Sequence, residues 1–119
     1  MTVAPSIDIH SHFYPRAFLD LIEKQGNQYS VRCSFEDPAG PVIEMNGHRL
    51  LPLDERYFDL EARLQSMDDQ GVDIHALSLT IPMVYWASKD LSRQLSEVFN
   101  DACIEAHEQY PNRFVGLAM

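Results

Sequence analysis

Two histidines stand two residues apart, His10 and His12, at the end of the short apolar run in Ile7-Asp8-Ile9-His10-Ser11-His12-Phe13-Tyr14-Pro15. In an extended strand, residues i and i+2 project from one face, so both imidazoles can address a single ion while Ile7 and Ile9 point to the packed side. Neutral imidazole suits zinc and other borderline divalent metals. The same alternation puts Asp8 on the face of the histidines, where its carboxylate could orient an imidazole. A catalytic zinc needs about three protein ligands and an open position, and the chain offers two convincing ones. His48, His75 and His107 are less telling: His48 falls in a hairpin, His75 in a predicted strand, and His107 near the end of a long helix.

The elements that must hold these residues alternate along the chain. Phe18, Leu21 and Ile22 recur at helical spacing over 15–25, with Pro15 suited to a first turn and Gly26 to a stop. From 29 to 53 come Val31, Cys33 and Phe35 in alternation, then Val42, Ile43 and Met45, then Asn46-Gly47. That pattern predicts β-hairpins. Leu60, Leu64 and Met67 predict an amphipathic helix over 59–71, capped by Asp59 and closed by Gly71. The apolar run 74–79 fits a buried parallel strand. Leu91, Leu95, Val98, Phe99, Ala102, Cys103 and Ala106 give the strongest helical period, over about 90–110, and 113–118 begins a third strand. This β-α-(hairpins)-α-β-α-β order predicts an α/β fold with parallel pairing.

Composition narrows the class of function. With 45% hydrophobic and 23% charged residues the chain is ordinary globular material. Eighteen acidic residues against nine basic ones give a net charge of −9, which leaves no basic face for nucleic acid. No apolar run approaches the roughly 20 residues of a membrane span, and no basic-then-apolar leader opens the chain, so a cytoplasmic location without membrane partners is expected. Cys33 and Cys103 lack the spacing of a disulfide framework or thiolate metal site and are expected to be idle thiols.

Five segments carry a resemblance to a known family: Ile7 to Pro15, Met67 to Asp73 (MDDQGVD), Leu77 to Pro82 (LSLTIP), Phe99 to Asp101 (FND) and Tyr110 to Ala118 (YPNRFVGLA). In order and spacing they resemble the amidohydrolase-related (amidohydrolase 2) decarboxylases, typified by aminocarboxymuconate semialdehyde decarboxylase. The resemblance implies a metal-dependent (β/α)₈ TIM barrel, with 29–53 a small β-hairpin insertion. It also implies that His10 and His12 are the first two ligands of a divalent metal, zinc by expectation, and that Arg49 holds a substrate carboxylate. The family's remaining ligands, a later histidine and a late aspartate, and its acid/base histidine would lie beyond Met119. Such barrels need about 250 residues, so the 119 residues are expected to be the amino-terminal part of one barrel domain, incomplete in this chain.

The expected function is therefore that of the amino-terminal part of a decarboxylase acting on a small carboxylated unsaturated or aromatic compound. A metal-dependent hydrolase such as a lactonase would share the histidine pair. A non-catalytic chain that persists as a homodimer, covering its open strand edges, is the third possibility. Arg49 could equally be a solvated hairpin arginine. Asn100 is expected to bond across to loop backbone, Phe114 to enter the core, and Tyr85 and Trp86 to contact substrate or pack a loop.

Overall fold

The computed structural model describes residues 3–119. Six strands and three α-helices follow in the order β1 (Ile7–His12), α1 (Arg16–Gln25), β2 (Val31–Ser34), β3 (Val42–Met45), β4 (His48–Arg49), α2 (Leu60–Gln70), β5 (Ile74–Ser78), α3 (Lys89–Gln109) and β6 (Phe114–Gly116). β1, β5 and β6 form a parallel sheet in the spatial order β1-β5-β6, and β2, β3 and β4 form a separate antiparallel sheet.

The caps explain most of the boundaries. Asp59 accepts hydrogen bonds from the N–H groups of Glu61 and Ala62, satisfying donors that open α2, and Gly71 at φ 70° ends it in the left-handed conformation. Ser88 caps α3 through the Leu91 N–H. Gly26 ends α1 as expected, in the right-handed conformation at φ −76°, and a Cβ there would meet the Val31 carbonyl oxygen at 2.3 Å. The glycine permits close approach of α1 to β2. Asn46 and Gly47, at φ 51° and 82°, make the tight β3–β4 turn that the Asn-Gly pair predicts.

Strand register separates the two faces of the parallel sheet. His75 pairs with Phe114 and Leu77 with Gly116, so these four share a face, and it is the α3 face because a Cβ on Gly116 would lie 2.5 Å from that of Cys103. Phe18, Leu19, Ile22, Met67, Leu77, Leu95, Phe99 and Phe114 are fully buried in the continuous core beneath the helices. The opposite face carries Ile7, His12 and Val115 and has no layer over it among the described residues. Ile7, Val115 and Leu117 are 53%, 39% and 50% exposed.

Strict alternation fails in β1. Asp8 pairs with His75 and Ser11 with Leu77, so three steps of β1 match two of β5, and a bulge falls at Ile9-His10. The expectation that Ile7 and Ile9 pack inward is overturned, since Ile9 is 78% exposed within the bulge and Ile7 lies on the open face. Asp8, expected beside the histidines, shares the helix-covered face with Ser11 and His75 for the same reason.

The helix α2 brings a second correction. It buries Arg63 and Met67, while Leu60 and Leu64 are only partly covered.

Candidate metal-binding site

His10 and His12 turn toward each other across the bulged strand. Their Nε2 atoms are 2.9 Å apart and the rings meet edge to face. Imidazole nitrogens bound at about 2.0–2.1 Å stand about 3.3 Å apart around a tetrahedral ion and about 2.9 Å apart around cis positions of an octahedral one. The pair therefore fits a shared divalent ion in both spacing and donor chemistry. Among the described residues no cluster of three His, Cys, Asp or Glu side chains could hold a metal, so the two imidazoles are the donors this chain brings together.

The surroundings fix how these rings are presented. Asp8 accepts the backbone N–H of His10 at 2.9 Å, bracing the bulge instead of touching either ring. On the opposite side of His12, Ser78 Oγ lies 3.4 Å from Nδ1 and donates to the Ser11 carbonyl at 3.4 Å. With the Ser78 proton spent on that carbonyl, its oxygen can accept from Nδ1–H, which leaves Nε2 with a free lone pair, the tautomer that a metal ligand needs. Burial, the neighbouring His10 and the Arg63 cation all lower the His12 pKa below 6.5, so the ring favours the neutral form.

Arg63 is the residue beside the histidine pair that helical periodicity read by apolar residues misses. It is 5% exposed, and its guanidinium donates to Ser11 Oγ and to the His12 backbone carbonyl while lying 3.3 Å from His75 Nδ1. None of these partners is a carboxylate, and its Nε is buried with no hydrogen-bond partner among the described residues. Burial pulls its pKa down to about 10, which still leaves a full cation at neutral pH. Its position was legible in principle: residue 63 is four before Met67 and three after Leu60, on the face that packs inward.

His75 completes the cluster, 2.9 Å from Ser11 Oγ and 3.9 Å from Asp8 through its other nitrogen. Burial and the Arg63 charge lower its pKa. A cleft of about 270 Å³ is lined by Asp8, His10, His12, Arg56, Tyr57 and Arg63, among others.

The structure does not bring Arg49 to this cleft. Its guanidinium pairs with Asp37 at 2.7 Å, the side chain is 61% exposed, and it lines a separate depression with Arg32 and Glu44. His48 is exposed on β4, and His107 sits at the end of α3, bonded to the Phe114 carbonyl at 2.7 Å. Tyr85 is 83% exposed, whereas Trp86 packs against Tyr29 and donates to the Met83 carbonyl. Asn100 bonds both backbone groups of Met119, and Phe114 is fully buried. Burial raises the Cys33 thiol to about 12 and that of Cys103 to about 11, leaving both protonated and idle.

Comparison with known proteins places this geometry. No family profile matches the chain. It is 29% identical over 113 residues to a 2-amino-3-carboxymuconate-6-semialdehyde decarboxylase of Dictyostelium discoideum, a match covering 93% of this chain and 31% of that relative. The chain thus spans less than a third of the relative's length. Among solved structures it superposes on an amidohydrolase II with a TM-score of 0.66 and 25% identity, over 95% of this chain and 30% of the other. A 5-carboxyvanillate decarboxylase from Novosphingobium aromaticivorans, solved with manganese and 4-hydroxy-3-methoxy-5-nitrobenzoic acid, gives a TM-score of 0.65 at 24% identity over 97% and 33%. The parallel sheet with its helices is part of an amidohydrolase-type barrel, and in sequence the chain resembles the amidohydrolase-related decarboxylases, aminocarboxymuconate semialdehyde decarboxylase among them.

Proposed function

We propose that this chain supplies the amino-terminal part, with the first two metal ligands, of a single-domain, metal-dependent decarboxylase of the amidohydrolase type. The substrate would be a small carboxylated aromatic or unsaturated compound, and the setting cytoplasmic. The observation that carries this is the 2.9 Å approach of two imidazole nitrogens at the mouth of the first parallel strand. Similarity to a decarboxylase over 93% of the chain supports the reaction class. No helix among the described residues is long and apolar enough to cross a membrane.

When bound, a divalent ion would polarise water or a substrate oxygen. Zinc suits the imidazole pair, and manganese is the ion in one solved decarboxylase. The chain's own residues do the rest of what is proposed here: His10 and His12 hold the ion, Ser78 orients the second ring, and Asp8 braces the strand. Arg49, on the β2–β4 hairpin that we place as an insertion over 29–53, is proposed to hold the substrate carboxylate. Its planar fork suits that group, and a substrate carboxylate would have to replace Asp37 as its partner.

The test is carbon dioxide release by the protein translated from the coding sequence read in frame through and past the Met119 codon, with zinc or manganese added. Metal-dependent release that disappears in His10→Ala/His12→Ala is expected. Metal-dependent ring opening of lactones without carbon dioxide would instead establish the hydrolase reading. The 119 residues alone are expected to turn over little or no substrate, since two ligands leave the ion site unfinished. The uncovered apolar face supports a homodimer of this chain, which light scattering would show as twice the 13.6 kDa mass.

A further inference from the structure

We infer that Arg63 is a positioning residue for the histidine pair: its guanidinium fixes the backbone of the Ser11–His12 segment so that the two imidazoles face each other. The inference rests on the proposed metal site and adds to it a residue on another element. Among the described residues β1 lies at one edge of the sheet order β1-β5-β6, with β5 its neighbour, and a bulge interrupts that pairing next to His10. Ser11 and His12 pair with Leu77 and Ser78, whereas His10 falls within the bulge, outside the paired register.

Arg63 supplies what the ladder lacks. One terminal nitrogen donates to Ser11 Oγ, between the two histidines, and the other to the carbonyl of His12 itself. Two donors on one rigid plane fix a rotation as well as a distance. The Phe13 ring, 5.6 Å from the guanidinium carbon, closes the other side of the cation on the residue after the pair. His75 helps to hold Ser11 from β5.

The cost of this arrangement argues for a purpose. A cation 5% exposed, with no carboxylate among its hydrogen-bond partners and with Nε unpartnered, is an expensive way to fill a helix–sheet contact. An apolar side chain of similar length would pack there without desolvating a charge. What only the fork provides is its simultaneous hold on two successive residues of the strand, Ser11 and His12.

The test compares the wild-type chain with Arg63→Met, Arg63→Lys and Ser11→Ala, each first checked for a cooperative melt. Two readouts are taken on samples more than nine-tenths folded. The first is the nuclear Overhauser contact between the His10 and His12 rings without metal. The second is zinc affinity by competition with a chromophoric chelator. The positioning role predicts that Arg63→Met loses the ring contact and weakens zinc binding 10- to 100-fold, the range for residues that orient ligands. Arg63→Lys, which keeps the charge but not the fork, should recover less than half of that loss on a logarithmic scale. Should Arg63→Met fail to fold, Ser11→Ala still removes one anchor and should weaken both signals. A folded Arg63→Met, or a folded Ser11→Ala in its place, with an unchanged ring contact would overturn the inference. Unchanged zinc binding in His10→Ala/His12→Ala would instead sink the metal reading, and the ring contact would still decide the role of Arg63.

Discussion

At the scale of the residue, Asp8 shows how a single backbone irregularity redirects chemistry. Read by alternation it belongs beside His10 and His12; the bulge at Ile9-His10 moves it to the helix-covered face, where it bonds the His10 N–H and approaches His75. Nothing in the residue types announces that bulge, because it is a property of pairing with β5 rather than of β1 alone. The histidine pair itself was legible, since an i, i+2 relation survives the irregularity. Arg63 was hidden for another reason, its polar type concealing a position that helix geometry places inward. His75 carries a pH consequence. Its folded pKa lies below the unfolded value of 6.5, through burial first and the Arg63 cation second. Above 6.5 the ring is neutral in both states, and its contribution is intact. As pH falls below 6.5, the unfolded chain binds a proton that the folded one resists, so stability declines. His12 acts in the same direction. Urea midpoints are expected to drop on acidification through this window, and to drop less in His75→Gln; an equal drop in the variant would contradict the assignment.

Among the elements, those with strong local signals came through best. Asp59, Gly71 and the Asn46-Gly47 turn act through their own backbone neighbourhood, so composition at three or four positions was enough to locate α2 and the β3–β4 turn. The long period of α3 likewise fixed its extent, with Leu91, Leu95, Phe99, Cys103 and Ala106 all buried. What local signals could not give is the meaning of glycines used for close approach. Gly26 stops α1 and also admits the Val31 carbonyl, and Gly116 admits α3 onto β6. Gly116→Ala places a methyl carbon 2.5 Å from the Cys103 Cβ, so either the helix or the strand must move. A loss of about 1–3 kcal/mol is expected from such overpacking, read as a lower urea midpoint with an unchanged slope. A midpoint equal to wild type would mean that α3 is free to shift.

At the scale of the whole molecule, the governing fact is an unfinished parallel sheet: among the described residues, three strands with helices over one face and none over the other. That open face holds His12 together with Ile7 and Val115, so the proposed metal ligand lies on the side a closed barrel would enclose. The extent of the match, almost all of this chain against less than a third of its relative, agrees with that picture. Arg49 stands outside it, held by Asp37 on the second sheet. The central claim is that His10 and His12 together bind a divalent ion. Equilibrium dialysis of the chain against zinc, repeated with manganese, tests it most directly. Binding by the wild type that is lost in His10→Ala/His12→Ala, with both proteins folded by circular dichroism, is the predicted result. Equal stoichiometry and affinity in the two proteins, or no binding by the wild type, would contradict it.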